Sequence, residues 1–120
     1  MPETEVLFFA DDDGACPLLA WLDGQPEKAQ LKCIICIERL AELGHELRRP
    51  EAELLRDEIR ELRVRLRKVN YRMLYFFHEQ RAVITHGLTK EDTVPDTEIN
   101  RAIRRMRKFK DDPDRHTHKE

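Results

Sequence analysis

The chain has 120 residues, 40% hydrophobic and 38% charged, so one soluble domain with a single core and a densely charged surface is expected. No apolar run approaches the length of a membrane span, and the start "MPETEV" is acidic where a signal peptide would be basic. The net charge of -2 conceals a division: residues 1–47 hold 3 Lys+Arg and 10 Asp+Glu, whereas residues 48–120 hold 19 and 14. Such asymmetry points toward polyanion contact by the second half, although a solvated basic surface accounts for charge alone more simply.

In chain order, "EVLFFA" at 5–10 reads as a strand ended by the turn residues "DDDG". "PLLAWL" opens with Pro17, suited to a first helical turn, and "DGQP" interrupts it. A longer helix follows from Pro26. Cys33, Cys36, Ile37, Leu40, Ala41 and Gly44 follow its apolar stripe, and Gly44 suits the stop. Ile34 and Ile35 widen the stripe, so burial on more than one side is expected. The stretch "RPEAELLRDEIRELRVRLRKV" supports two readings. As a helix it carries Leu55, Ile59, Leu62, Leu66 and Val69 on a seam, with Glu61 placed to pair with Arg65. As a strand, Leu62, Val64 and Leu66 face one way and Arg63, Arg65 and Arg67 the other. Propensity favours helix for 51–57, and alternation permits strand from 59 to 66.

Residues 71–77 and 82–90, rich in aromatic and β-branched side chains, predict a hairpin around "HEQR" with Met73, Tyr75 and Phe77 toward the core. A last helix is expected with Pro95 at its first position and Asp96 and Glu98 at its positive end. Ile99, Ala102, Ile103, Met106 and Phe109 form its apolar stripe. Residues 111–120 read as a polar, disordered tail, leaving one domain over 1–110 without repeat or linker.

Cys33 and Cys36 have C-x-x-C spacing but no second pair, and they lie on the apolar stripe, so core packing outweighs a metal site. Three cysteines in an unexported chain imply reduced thiols and a cytoplasmic location. "HTH" at 116–118 reads as solvated. No phosphate loop, H-E-x-x-H or G-x-S-x-G is present, and neither cofactor nor metal is expected. What remains is basic: Arg60, Arg63, Arg65, Arg67, Lys68, Arg72 and Arg81 against Glu61 and Glu79, interleaved with Tyr71, Tyr75, Phe76 and Phe77. Arginines beside rings can hold single-stranded RNA, pairing phosphate and stacking bases. A solvated arginine ladder explains most of this cluster, but not Arg72, which stands inside an apolar strand.

"IRELR" at 59–63, "NYRMLYFF" at 70–77, "ITHGLTK" at 84–90 and "VPDTEINRA" at 94–102 together resemble the HigB-like branch of the RelE/ParE toxin superfamily. The order and spacing agree over roughly residues 50–110. The resemblance implies a RelE-like α+β fold: an N-terminal strand and helices packed on a small antiparallel sheet, plus a C-terminal helix. It therefore favours strand for about 58–66. It also implies the toxin of a type II toxin–antitoxin pair, a ribosome-dependent mRNA endoribonuclease. Its expected partners are mRNA on the ribosome and a cognate helix-turn-helix antitoxin, with no membrane.

Cleavage by the RNA's own 2′-OH requires a proton acceptor, cations for the developing charge and help for the leaving oxygen. By the resemblance Arg63 and Arg72 would clamp the phosphate and Lys90 would stabilise charge or assist proton transfer. His86 titrates in the useful range and shares the Lys90 strand face, although a structural histidine near a glycine is almost as good a reading. Arg65, Arg67, Lys68 and Arg81 would bind RNA. Glu91 and Asp92 stand where relatives often carry a second lysine, Leu88 replaces a phenylalanine, and the pI is about 6.2. These departures keep two alternatives open: a non-catalytic antitoxin-binding protein of the same fold, and a gyrase-inhibiting toxin.

Overall fold

The computed structural model describes residues 3–89 and 92–119. Its elements are β1 (Glu5–Phe8), α1 (Pro17–Asp23), α2 (Glu27–Leu43), β2 (Ala52–Arg56), β3 (Ile59–Leu66), β4 (Val69–His78), β5 (Arg81–Thr89) and α3 (Asp96–Asp111). A 3₁₀ turn at Gly44–Glu46 follows α2. The five strands form one sheet in the order β1-β5-β4-β3-β2. The fold is α+β, as expected, but the sheet is mixed. β2 to β5 form an antiparallel meander, while β1 runs parallel to β5, with Val6 opposite Ala82 and Phe8 opposite Ile84.

The ambiguous stretch forms strands joined by tight turns, β2 included, so the helical preference of 51–57 is overturned. Ala52 and Leu54 pair with Leu62 and Arg60, and that pairing outweighs local propensity. Two-residue turns close the three hairpins, at Asp57–Glu58, Arg67–Lys68 and Glu79–Gln80. Asp57, Glu58, Arg67, Glu79 and Gln80 all have positive φ, between 49° and 73°. Such turns match strand twist and normally select glycine or asparagine, which these positions lack. The polar "HEQR" therefore contributes only its central two residues to the turn.

The meander gives each face its own core. Toward α1 and α2 point Leu62, Val64, Tyr71, Met73, Tyr75 and Ile84, with Phe77 partly buried beside them, against Leu18, Leu22, Cys33, Cys36 and Leu40. Toward α3 point Ile59, Leu74, Phe76 and Val83, against Ile99, Ala102, Ile103, Met106 and Phe109. The Met73, Tyr75 and Phe77 orientation is as the alternation required. Gly87 exists because the Trp21 ring lies on it; a Cβ there would overlap the indole.

Three expectations change. α2 is buried on one side only, and Ile34 and Ile35 stand in solvent on the other. Pro95 caps α3 from just outside instead of occupying its first turn. The polar tail is docked: Thr117 bridges to Phe9, and His118 N–H donates to Phe8 O at 2.7 Å. His116 is buried, stacks on Phe9 at 5.4 Å and pairs through Nδ1 with Ala10 O at 2.8 Å. Apolar surface left bare at the end of β1 supplies the reason, since the imidazole covers the ring of Phe9. Among the described residues no helix is long and apolar enough to cross a membrane.

Candidate functional site: an arginine–carboxylate cleft

α3 covers only part of its sheet face. Beside its N-terminal turn, over β2, β3 and β4, an open cleft of about 510 Å³ remains. Strand alternation delivers its side chains: Glu61 and Arg63 project from β3 on the same face, and Arg72 stands opposite Arg63 on β4. Glu61, 1% exposed, lies between the two arginines. Arg72 Nη1 donates to Glu61 Oε2 at 3.1 Å, and Arg63 Nε donates to Glu61 Oε1 at 3.0 Å. Arg63 Nη2 also donates to Glu53 Oε2 at 3.1 Å. Arg72 Nη2 donates to the carbonyl of Asp92, and its Nε finds no acceptor among the described residues.

Two consequences follow for the phosphate-clamp expectation. Arg72 is buried and held by Glu61, so it shapes the floor of the cleft. Of the two, Arg63, whose side chain is 35% exposed, is the guanidinium that a ligand can reach, and Arg56 at the cleft's rim is about as open. Charge within the cleft is balanced: Arg56, Arg63 and Arg72 face Glu53, Glu61, Asp92 and Asp96. A phosphate at Arg63 must therefore compete with Glu53.

His86 shares the sheet face but lies under α3, outside the cleft lining. Its Nε2 is 3.0 Å from Glu98 Oε1, and Glu98 also accepts from Arg101 at 3.0 Å. Burial, reinforced by the positive charge of Arg105, lowers the His86 pKa to about 4 despite the opposing pull of Glu98. The ring is neutral near pH 7, with Nε2–H donating to Glu98. The expected titration in the useful range does not occur; His86 ties β5 to α3. Lys90 lies outside the described residues.

The expected RNA-binding residues divide. Arg65, Arg67 and Lys68 are exposed at the β3–β4 turn, beyond Arg63, with Arg65 Nε donating to Arg67 O at 3.2 Å. Arg81 sits at the opposite end of β4, paired with Glu79 at 3.3 Å, and cannot serve the same surface. Arg60 turns to the other face and lies over Phe77, 5.5 Å from its centroid. Of the four proposed stacking rings, Tyr71, Tyr75 and Phe76 are buried, and Phe77, half-buried on the face away from the cleft, is already stacked by His45 at 3.6 Å. Burial also raises the Tyr75 hydroxyl to about 12.

Sequence reasoning missed Glu61, Glu53 and Glu98. Glu61 was legible once β3 was a strand, because residues 61 and 63 must then share a face. Cys33 and Cys36 pack in the core as expected, with burial raising their thiols to about 11 and about 12. Among the described residues no group of His, Cys, Asp and Glu could hold a metal.

Fold and cleft thus define a small α+β protein with a mixed sheet, covered by helices on one face and half covered on the other. The chain belongs to the family described as Phage derived protein Gp49-like (DUF891), whose model matches residues 20–107. That span runs from α1 into α3 and includes every residue of the cleft's lining, Arg63 among them. No curated protein matches the chain.

Proposed function

We propose that this protein is a HigB-like toxin of a type II toxin–antitoxin pair, cutting mRNA on the ribosome in the cleft beside Arg63. Membership of the Gp49-like family supports a toxin-type reading, as do the four ordered motifs resembling the RelE/ParE superfamily. The observation that carries it is Arg63, its side chain about one-third exposed, opening between a carboxylate and an exposed basic turn. Arg65, Arg67 and Lys68 lead the RNA backbone to Arg63, which binds the scissile phosphate. Phosphate displaces Glu53 Oε2 from Arg63, and that oxygen, on a carboxylate still paired through Oε1 with Arg49, takes the 2′-OH proton as the 2′-oxygen attacks phosphorus. The P–O5′ bond breaks to leave a 2′,3′-cyclic phosphate, and Lys90 gives a proton to the leaving 5′-oxygen. Glu61 and Arg72 hold Arg63 in place, and His86 holds α3. A helix-turn-helix antitoxin is the expected partner, in the cytoplasm.

One observation favours a second reading. Three arginines facing four carboxylates make a poor polyanion trap, as a non-catalytic, antitoxin-binding protein of the same fold would show. Induced expression with mRNA 5′-end mapping separates the two. The ribonuclease reading expects slowed growth and new cuts inside translated frames, both lost in Arg63→Ala. Harmless expression with intact mRNA favours the second reading. Intact mRNA with inhibited supercoiling by purified gyrase would replace both with a gyrase-directed toxin.

A further inference from the structure

α2 presents an apolar stripe that no part of the chain covers. Leu31, Ile34 and Ile35 are 55%, 44% and 54% exposed, on the side opposite Ala29, Cys33, Cys36 and Leu40. Neighbouring apolar residues this open on a 17-residue helix mark a contact surface more than an accident of composition. The charges around the stripe say what covers it.

Lys28 and Glu42 each lie seven residues from Ile35, one toward either end of the helix. Seven residues make nearly two full turns, so both side chains fall on the Ile35 line, about 10 Å to either side. Both are exposed, and neither has an ion-pair partner among the described residues. Two further cations lie near the centre: Lys32 is exposed, with Glu38 at the same three-residue distance on the other side of Ile35, and Arg39 is turned toward Glu51 by two hydrogen bonds, at 2.5 and 2.8 Å.

We propose that two copies of this chain associate through α2, antiparallel, about a two-fold axis at Ile35. In that arrangement Ile35 meets the partner's Ile35, and Lys28 meets the partner's Glu42 twice by symmetry. A surface with opposite charges equidistant from an apolar centre is complementary to itself; a foreign helix would demand no such symmetry. Ile35 also lines, with Lys32, Arg39, Arg63 and Arg65, a groove of about 260 Å³ beside β3, so the pair borders the Arg63 side of each cleft. A single contact between helices about 25 Å long falls at or below the low end of specific interfaces. The dimer is therefore weak, forming at micromolar or higher concentrations.

The test is sedimentation velocity of the full chain over a wide concentration range, with circular dichroism confirming that each variant is folded. A dimer that grows with concentration is expected, abolished by Ile35→Glu and weakened by added salt. Lys28→Glu alone and Glu42→Lys alone should each weaken association about fivefold or more, while the double exchange restores it. A chain that stays monomeric throughout overturns the proposal and leaves the stripe to a different protein. A dimer indifferent to Ile35→Glu, or a double exchange no better than the single ones, overturns the proposed axis.

Discussion

Replacing Glu61 with Gln removes one charge and no volume, from the most enclosed carboxylate of the cleft. Glu61 accepts from both Arg63 and Arg72, and an amide can offer only its oxygen to one of them, with its NH₂ facing the other's donors. Arg63 retains Glu53 and solvent, so its loss is screened and small. Arg72 keeps only the Asp92 carbonyl, and its guanidinium is almost wholly enclosed. Stranding a buried charge in this way costs about 3–5 kcal/mol, a large share of the roughly 5–15 kcal/mol that holds a domain folded. Urea unfolding followed by circular dichroism should show that loss, with Tm lower by roughly 10–20 °C. Arg63→Gln should cost no more than about 1 kcal/mol. The double variant Glu61→Leu with Arg72→Leu should be more stable than Glu61→Leu alone, because it removes the stranded charge. If Glu61→Gln unfolded within about 1 kcal/mol of the unaltered protein, the Arg72–Glu61 pair would be no stronger than a surface pair. The account of the cleft floor would then fail.

Stability should also fall between about pH 6.5 and 4. The folded His86 pKa of about 4 lies below its ordinary 6.5, so the unfolded chain binds the extra proton across that window; His86→Gln should flatten the slope relative to the unaltered protein. Gly87→Ala should destabilise by roughly 1–3 kcal/mol through overlap with Trp21, and Trp21→Leu in the same chain should recover part of it, as read by denaturation midpoints. Cys33 and Cys36 should resist a thiol-reactive dye in the native protein and react on unfolding, since both are buried and their thiols raised; rapid native labelling would contradict that packing.

The amino-acid sequence alone was enough for whatever depends on periodicity and local steric preference. α3's stripe of Ile99, Ala102, Ile103, Met106 and Phe109 is its buried face residue for residue, and Gly44 ends α2 at positive φ. The alternation of Met73, Tyr75 and Phe77 chose their side of the sheet before any partner was known. β2 was not legible, because Ala, Glu and Leu prefer helix locally and only pairing with β3 reverses that preference. The Asp57–Glu58 turn gave no warning either, lacking the glycine or asparagine that usually marks positive φ.

At the cleft the division is similar. The sequence singled out Arg72 as a charge inside an apolar strand, and the family resemblance added Arg63. Only the assembled sheet showed that Glu61 joins them, that Arg72 is enclosed and that of the two Arg63 is the one that opens outward. His86 was placed on the right strand, but its charge state was decided by distant chain. Glu98 and Arg105 reach it from α3, and exclusion of water holds the ring neutral. A side chain's type follows from the sequence; its solvent and counterions arrive with the neighbouring elements, and those set its chemistry.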